Sequence, residues 1–301
     1  MRAVTVLLAS GLIAGCAGAP AVAPSASTAA PKYTPIPTET PKAAALSILA
    51  ATAAPNFDAL PVAAMEAAAL GQQLVMVERA IRDPSVTGAQ LKWFGHLEQL
   101  IFGRLADFPD WRDGVVSALP PEFQAPLKNG LEAGRQLRSM GGAPAKALPP
   151  WRIVAPPPPE DLLRFYREAE AAFGIPWYYM ASINLIESRM GRINGDSTAG
   201  AQGPMQFIPS TWAAYGQGDV NDPHDAIMAA ARYLKAAGAP GDMQRAIFAY
   251  NHSQPYVNAV TLYADAMRLD QNAFRGYYGW QVYYWMEDGP LLLPEGWTRP
   301  Q

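Results

Sequence analysis

One stretch of this chain leaves little freedom in how it can fold. The segment from Ile175 to Met190, IPWYYMASINLIESRM, reads as a helix with Pro176 in its first turn. Up to Ile186 it is apolar on almost every side, and a helix without a polar face is buried. Glu187 breaks the pattern. At about 3.6 residues per turn it falls on the same side as Met180, Ile183 and Met190. A lone carboxylate in that position loses hydration, so its pKa is expected to rise toward neutrality. Such a group can hold a proton and donate it. The bland alternative is a buried structural acid paired with Arg189 or Arg192. On a helical wheel Arg189 projects about 160° away from Glu187, and Arg192 would have to curl back.

Two further clusters lie downstream, GAQGPMQFIPSTW over residues 200–212 and Ala249-Tyr250-Asn251. Glu187-Ser188, then Gly203-Pro-Met-Gln206, then Ala249-Tyr250-Asn251 resemble the three ordered motifs of the lytic transglycosylases. These enzymes share a goose-lysozyme-like fold and cleave the glycan strands of peptidoglycan. The resemblance spans roughly residues 160–270, so it rests on order and spacing as well as on short tripeptides. It implies that Glu187 is the single catalytic acid and base, and that Ser188, Met205, Gln206, Tyr250 and Asn251 bind or position substrate. In that scheme Tyr250 holds Glu187 by a hydrogen bond, while Gln206 and Asn251 orient sugar amides.

The chain has 301 residues, enough for one large or two modest domains. Its net charge is −3 with no Lys/Arg run, which excludes nucleic acid as a natural partner. Arg2 precedes an apolar run from Val4 to Ile13, too short to span a membrane and shaped like a secretory signal. Leu12-Ile-Ala-Gly-Cys16 follows, which resembles the bacterial lipobox, where cleavage leaves a cysteine that carries lipid. Cys16 is the one cysteine of the chain, so no intramolecular disulfide can form. The expectation is an exported protein anchored to the membrane through lipid at Cys16 and facing the cell wall or periplasm. Residues 17–42 are mostly Ala, Pro, Ser and Thr and cannot bury enough surface to order themselves. Extended, this tether reaches at most about 80 Å.

The rest of the chain reads as helical. Leu70, Leu74, Val77 and Ile81 recur at helical spacing until Asp83-Pro84. Thr87 and Gln90 resemble a capping box that opens a helix with Leu91, Phe94, Leu97, Ile101 and Leu105 inward. A third helix, weakened by Gly130 and Gly134, is expected around Glu122–Met140. Pro149-Pro150 and Pro156–Pro159 bracket Trp151-Arg-Ile-Val and read as a stiff polyproline linker. Beyond it, Asp222 with Pro223 opens a helix that runs to Gly238, and Asp242 opens another. The second of these turns Met243, Ala246, Ile247 and Tyr250 to one side. Near the C-terminus, Trp280–Trp285 and Leu291–Leu293 flank Glu287-Asp-Gly-Pro290, which reads as a β-hairpin. Its aromatic residues are read as the cover of a small core in preference to a sugar platform.

Together these signals predict a mainly α protein: a lysozyme-like (goose-type, SLT) catalytic domain with a short C-terminal β-hairpin, preceded by a small helical domain. The expected division is a signal peptide at 1–15, the lipidated cysteine and tether at 16–60, and a helical domain at 61–148. A linker at 149–160 and the catalytic domain at 161–301 complete it.

Other chemistries fit poorly. His96, His224 and His252 have no zinc spacing. His96 reads as structural; His252 either lines the cleft or sits in a surface loop. Asp219-Val-Asn221-Asp222 hints at calcium, yet Pro223 interrupts the loop and helix capping explains Asp222 and Asp225. No nucleophile elbow for acyl transfer occurs. Glycosidases usually use two carboxylates, whereas the resemblance implies one. Glu187 would protonate the bond between N-acetylmuramic acid and N-acetylglucosamine, then take a proton from the muramoyl C6 hydroxyl as a 1,6-anhydro ring closes. No metal or cofactor enters. Two alternatives stay open: a hydrolytic muramidase, favoured by a second carboxylate near Glu187, and a non-catalytic wall-binding lipoprotein.

Overall fold

A computed structural model of the chain describes residues 55–300. The signal segment, Cys16 and most of the tether lie outside the described residues. What is described is mainly helical, eleven helices with two small antiparallel sheets.

The first helix, α1 (Ala67–Arg82), buries Leu70, Leu74, Val77 and Ile81, the stripe that the spacing predicts. It stops at Asp83, whose extended backbone suits the residue ahead of Pro84. Helix α2 (Gly88–Asp107) likewise turns Leu91, Phe94, Leu97, Ile101 and Leu105 inward. The capping box expected of Thr87 and Gln90 does not form: Thr87 holds the cap position, but its side chain makes no capping bond. Gly88 behind it has a φ of 53°, not the helical backbone such a box needs. A short helix, α3 (Pro109–Ser117), escaped the periodicity because it buries little beyond Val115 and Val116. Helix α4 (Pro121–Ser139) closes this part of the chain.

The proline-bracketed segment does more than connect. Within it β1 (Arg152–Ile153) pairs antiparallel with β2 (Ile193–Asn194), and Ile153 also exchanges backbone bonds with Gly296 and Trp297. The expected polyproline linker is therefore interrupted by strand. Between the prolines, the amides of Ile153 and Val154 donate to Trp297 O and Arg192 O, and Ile153 supplies an apolar side chain that packs with Ile193, Val282 and Leu293.

The second half begins with α5 (Pro159–Phe173), α6 (Trp177–Ser188) and, after β2, α7 (Pro209–Tyr215). Then come α8 (Pro223–Ala236), α9 (Met243–Tyr250), α10 (Gln254–Leu269) and α11 (Asn272–Tyr278). The expected hairpin is β3 (Val282–Met286) with β4 (Gly289–Leu293), registered from Val282 opposite Leu293 to Met286 opposite Gly289. Helix α6 is the central element, surrounded by α5, α8, α10 and α11. Its interior position is what an all-round apolar sequence demands.

Packing crosses the expected boundary at 149–160. One apolar cluster runs from Ala63 through the second half of the chain to Trp280, and α10 lies along α4. The approach is close because glycine lines it: a Cβ on Gly130 would come within 2.6 Å of the Tyr277 hydroxyl, and one on Gly95 within 2.6 Å of Gly279 Cα. Buried polar groups tie the same seam. The indole N–H of Trp280 donates to Glu98 at 2.8 Å, and Gln99 exchanges two bonds with Gln281 at 2.7 and 2.9 Å. His96 is bonded to the Tyr283 hydroxyl at 2.8 Å. Burial pushes its pKa down to about 4, so it is a neutral structural residue at ordinary pH.

Candidate functional site

Glu187 is the next-to-last residue of α6. Its neighbours Ile183, Leu185, Ile186 and Ser188 are all buried, while Glu187 itself is half-buried. Loss of hydration raises its pKa from 4.5 to about 7. The C-terminal end of a helix, where carbonyls gather negative potential, pushes in the same direction. One interaction opposes the shift: the Tyr256 hydroxyl donates to Glu187 Oε1. Among the described residues no cation and no second carboxylate perturbs this carboxyl. The structural alternative therefore fails. Arg189 lies over the Trp280 ring and bonds Leu185 O at 3.1 Å. Arg192 lies over Tyr278 with Glu295 at 3.7 Å.

The helix ends abruptly after Ser188, two residues earlier than its apolar pattern suggests. Arg189 and Met190 both take left-handed φ values, 55° and 61°, and Gly191 follows at 89°. The third non-glycine residue in this region of φ is Gln206, at 51°. Left-handed backbone is costly outside glycine and concentrates at functional sites. Here all three such residues among those described follow closely on Glu187 or belong to the turn that Ser188 anchors.

That turn is Gly203–Gln206. Gln202 and Phe207 close it by exchanging backbone bonds of 2.8 and 2.9 Å, and Gln206 N–H donates to Gly203 O at 3.1 Å. Gly203 has a φ of 72°, and any Cβ there would run into the carbonyl oxygen of Val220. Two of the turn's carbonyls are clamped from different helices. Pro204 O accepts from the Ser188 hydroxyl at 2.5 Å and from Asn184 Nδ2 at 2.9 Å. Met205 O accepts from the Tyr250 hydroxyl at 2.6 Å. Asn184 is itself held by the Tyr166 hydroxyl at 2.6 Å.

These bonds place each sequence-derived site residue. Ser188 is fully buried, so it acts through the turn it anchors and not as a surface for ligand. Met205 is buried too and contributes its backbone. Gln206 is half-buried, with its amide donating to Gly203 O at 2.9 Å. Tyr250 does not hold Glu187; its hydroxyl is committed to Met205 O, although the carboxylate's charge reaches it. Asn251, half-buried, ends α9. The hydrogen bond expected of Tyr250 is made by Tyr256, in the first turn of α10, whose phenol burial keeps protonated. Tyr256 was missed because the third motif ends at Asn251. The available signal was Pro255 at the start of a helix, which places the next residue in a first turn directly after the motif.

His252 is exposed and sits edge-on to Phe248 at 5.4 Å between ring centres, which fits the surface reading. Ligand atoms of Asp222, His224 and Asp225 fall within 4.8 Å of one another. Each already has work in the fold: Asp222 caps α8 through Asp225 N–H at 2.9 Å, Asp225 accepts from Asp219 N–H, and His224 bonds Glu168 at 3.1 Å.

Residues 164–266 match the family described as Transglycosylase SLT domain. That span contains Glu187, the Gly203–Gln206 turn, Tyr250, Asn251 and Tyr256, so the helical unit around the acid is of the SLT, lysozyme-like type. Two solved structures of an Escherichia coli protein are similar. One is the lytic transglycosylase SLT35 in complex with calcium, 17% identical, covering 67% of this chain and 85% of that chain, with a TM-score of 0.33. The other is SLT35 in complex with bulgecin A, 16% identical, covering 66% and 92%, with a TM-score of 0.30. A comparison with curated proteins gave no match.

Proposed function

We propose that this chain is a peptidoglycan lytic transglycosylase that uses Glu187 first as acid and then as base. The observation that carries the reading is a poorly hydrated carboxyl: its pKa lies about 7, a phenol holds it, and among the described residues no second acid shifts it. A group titrating near neutrality is available in both protonation states, which suits alternating donation and abstraction. A hydrolase of the usual design needs a second carboxylate within about 5–9.5 Å.

Protonated Glu187 donates to the oxygen between N-acetylmuramic acid and N-acetylglucosamine as the bond from that oxygen to the muramoyl anomeric carbon breaks. The sugar's own N-acetyl oxygen shares the charge that develops on this carbon. Glu187, now ionised, accepts the proton of the C6 hydroxyl as that oxygen bonds to the anomeric carbon. A 1,6-anhydro end forms, no water is consumed, and Glu187 is protonated again. Tyr256 fixes the carboxyl, the clamped turn presents Gln206, and Asn251 joins it in orienting sugar amides. Mass analysis of fragments released from purified sacculi tests this: each anhydro end is lighter by one water than a hydrolytic end. Ordinary reducing ends would keep Glu187 as the acid and make the protein a muramidase. Release undiminished in Glu187→Gln would remove the residue from the mechanism, and glycan binding without any release would leave a wall-binding module.

Export and lipid attachment at Cys16 complete the proposal, placing the enzyme on the membrane against the wall. Cys16→Ser is expected to abolish incorporation of labelled fatty acid into the protein, and unchanged labelling would defeat the anchor.

A further inference from the structure

In the first described residues of the chain, the usual arrangement of side chains is reversed. Of eight large apolar side chains exposed among the described residues, four lie between Phe57 and Met65: Phe57 at 39%, Leu60 at 67%, Val62 at 75% and Met65 at 63%. The small residues between them, Pro61 and Ala63, are the ones turned inward. A segment made only to cover the core would do the opposite.

The segment is also held in place. Trp93 Nε1 donates to Ala59 O at 2.8 Å, Ala64 N–H donates to Gln73 Oε1 at 2.7 Å, and Gln73 Nε2 donates to Val62 O at 3.1 Å. Phe57 packs edge-on against Trp93 and Phe94, with ring centres 5.5 and 5.7 Å apart. Leu60, Val62 and Met65 therefore project from a backbone that three side-chain bonds restrain. Ordered apolar exposure clustered in one short segment marks a surface that something else covers.

We propose that Leu60, Val62 and Met65, with Phe57 at their edge, insert into the lipid bilayer to which the chain is tethered. Position argues for the bilayer. If Cys16 carries the lipid anchor proposed above, residues 55–66 are the described segment nearest to it in the chain, beginning 39 positions beyond that cysteine. Chemistry argues for it as well. Residues 55–66 carry Asp58 and Glu66 and no Lys or Arg, so the attraction is apolar and not electrostatic. Separately projecting side chains suit a fluid apolar phase, which needs no matching shape, whereas a protein partner needs complementary packing. The half-buried Trp93 beneath them is the amphipathic type of ring that settles at a lipid interface.

The test uses residues 17–301, which lack the lipid but keep every described residue, floated with phosphatidylcholine vesicles. The protein is expected to rise with the vesicles and to do so equally at high salt. The triple variant Leu60→Asp, Val62→Asp, Met65→Asp is expected to lose partitioning on the order of a hundredfold or more. Its three sites are exposed, so melting and glycan cleavage are expected to match the unsubstituted chain. Failure of the unsubstituted chain to float, equal flotation of the variant, or loss of flotation in salt would overturn the proposal. So would a dimer that the triple substitution dissolves, because a second copy would then be the cover. Glu187→Gln is expected to float normally, which keeps this test separate from the catalytic reading.

Discussion

Glu187→Gln is expected to stabilise the protein, and to do so only where the native carboxyl would be ionised. The folded state holds this group's proton up to a pH of about 7, against 4.5 in a solvated chain. Between those values the folded state binds more protons than the unfolded one, so native stability declines as pH rises through the interval. Below 4.5 the contribution is intact; above 7 it is gone. The full difference, about 2.5 units at roughly 1.4 kcal/mol each, is about 3.5 kcal/mol. Partial exposure of the residue trims that to roughly 2–3 kcal/mol. Glutamine keeps the shape, still accepts from the Tyr256 hydroxyl, and does not titrate. The gap between variant and wild type should therefore widen by roughly 2–3 kcal/mol from pH 4 to pH 8, or on the order of 4–12 °C in Tm for a unit of this size. Paired thermal melts across that range measure it, and every other titrating group cancels in the difference. If the two proteins show parallel pH dependence, Glu187 is not buried in the way the geometry implies.

The remaining expectations concern turnover and architecture. Activity per free enzyme, kcat/KM, should fall tenfold per pH unit above about 7 as the acid ionises, and a flat profile to pH 9 would show that another group supplies the proton. At its optimum Glu187→Gln should lose about 10⁴-fold or more in kcat on sacculi, since both proton transfers fail; a loss under tenfold would contradict it. Tyr256→Phe removes the bond that lowers the Glu187 pKa, so its alkaline limb should move to higher pH, while Tyr250→Phe should leave the limb in place and raise KM by freeing the Met205 carbonyl. The reverse pattern in pH-rate profiles would return the holding role to Tyr250. A fragment starting at residue 155 would uncover Tyr263, Tyr277 and Trp280 and is expected to be insoluble alone; a soluble, active fragment would show that the division at 149–160 is a true domain boundary.

How much of this was legible in the residues follows from the range of the forces involved. Burial of α6, the stripes of α1 and α2, the caps at Asp222 and Asp242, and the hairpin are all set by near neighbours in sequence. All can be read from period and turn chemistry. The raised pKa of Glu187 was legible for the same reason, since an acid inside an all-round apolar helix has nowhere wet to go. Long-range choices left no such trace. Nothing local distinguishes a tyrosine that donates to a carboxylate from one that donates to a carbonyl, so Tyr250 and Tyr256 exchanged roles. Nothing local says that Arg189 leaves the helix with a left-handed backbone, since that is imposed by the packing around it. Gly130, which reads as a weakness in α4, is the point at which the Tyr277 hydroxyl comes closest.

That last reversal bears on what the first helices are for. Helix α10 carries Tyr256 at its start and lies between α4 on one side and α6 on the other. Asn258, two residues past Tyr256, accepts from Gln254 and donates to Gln136 of α4 at 3.2 Å. Further along, Tyr263 meets Tyr277 and Trp280, ring against ring. The register of Tyr256 against Glu187 is thus set on both faces of α10, and one of those faces belongs to residues 121–139. A hydrogen bond to a reacting carboxyl tolerates little displacement before its effect on the pKa and on the aim of the proton is lost. On the proposed reading of Glu187 as the acid, helix α4 is therefore part of what positions it.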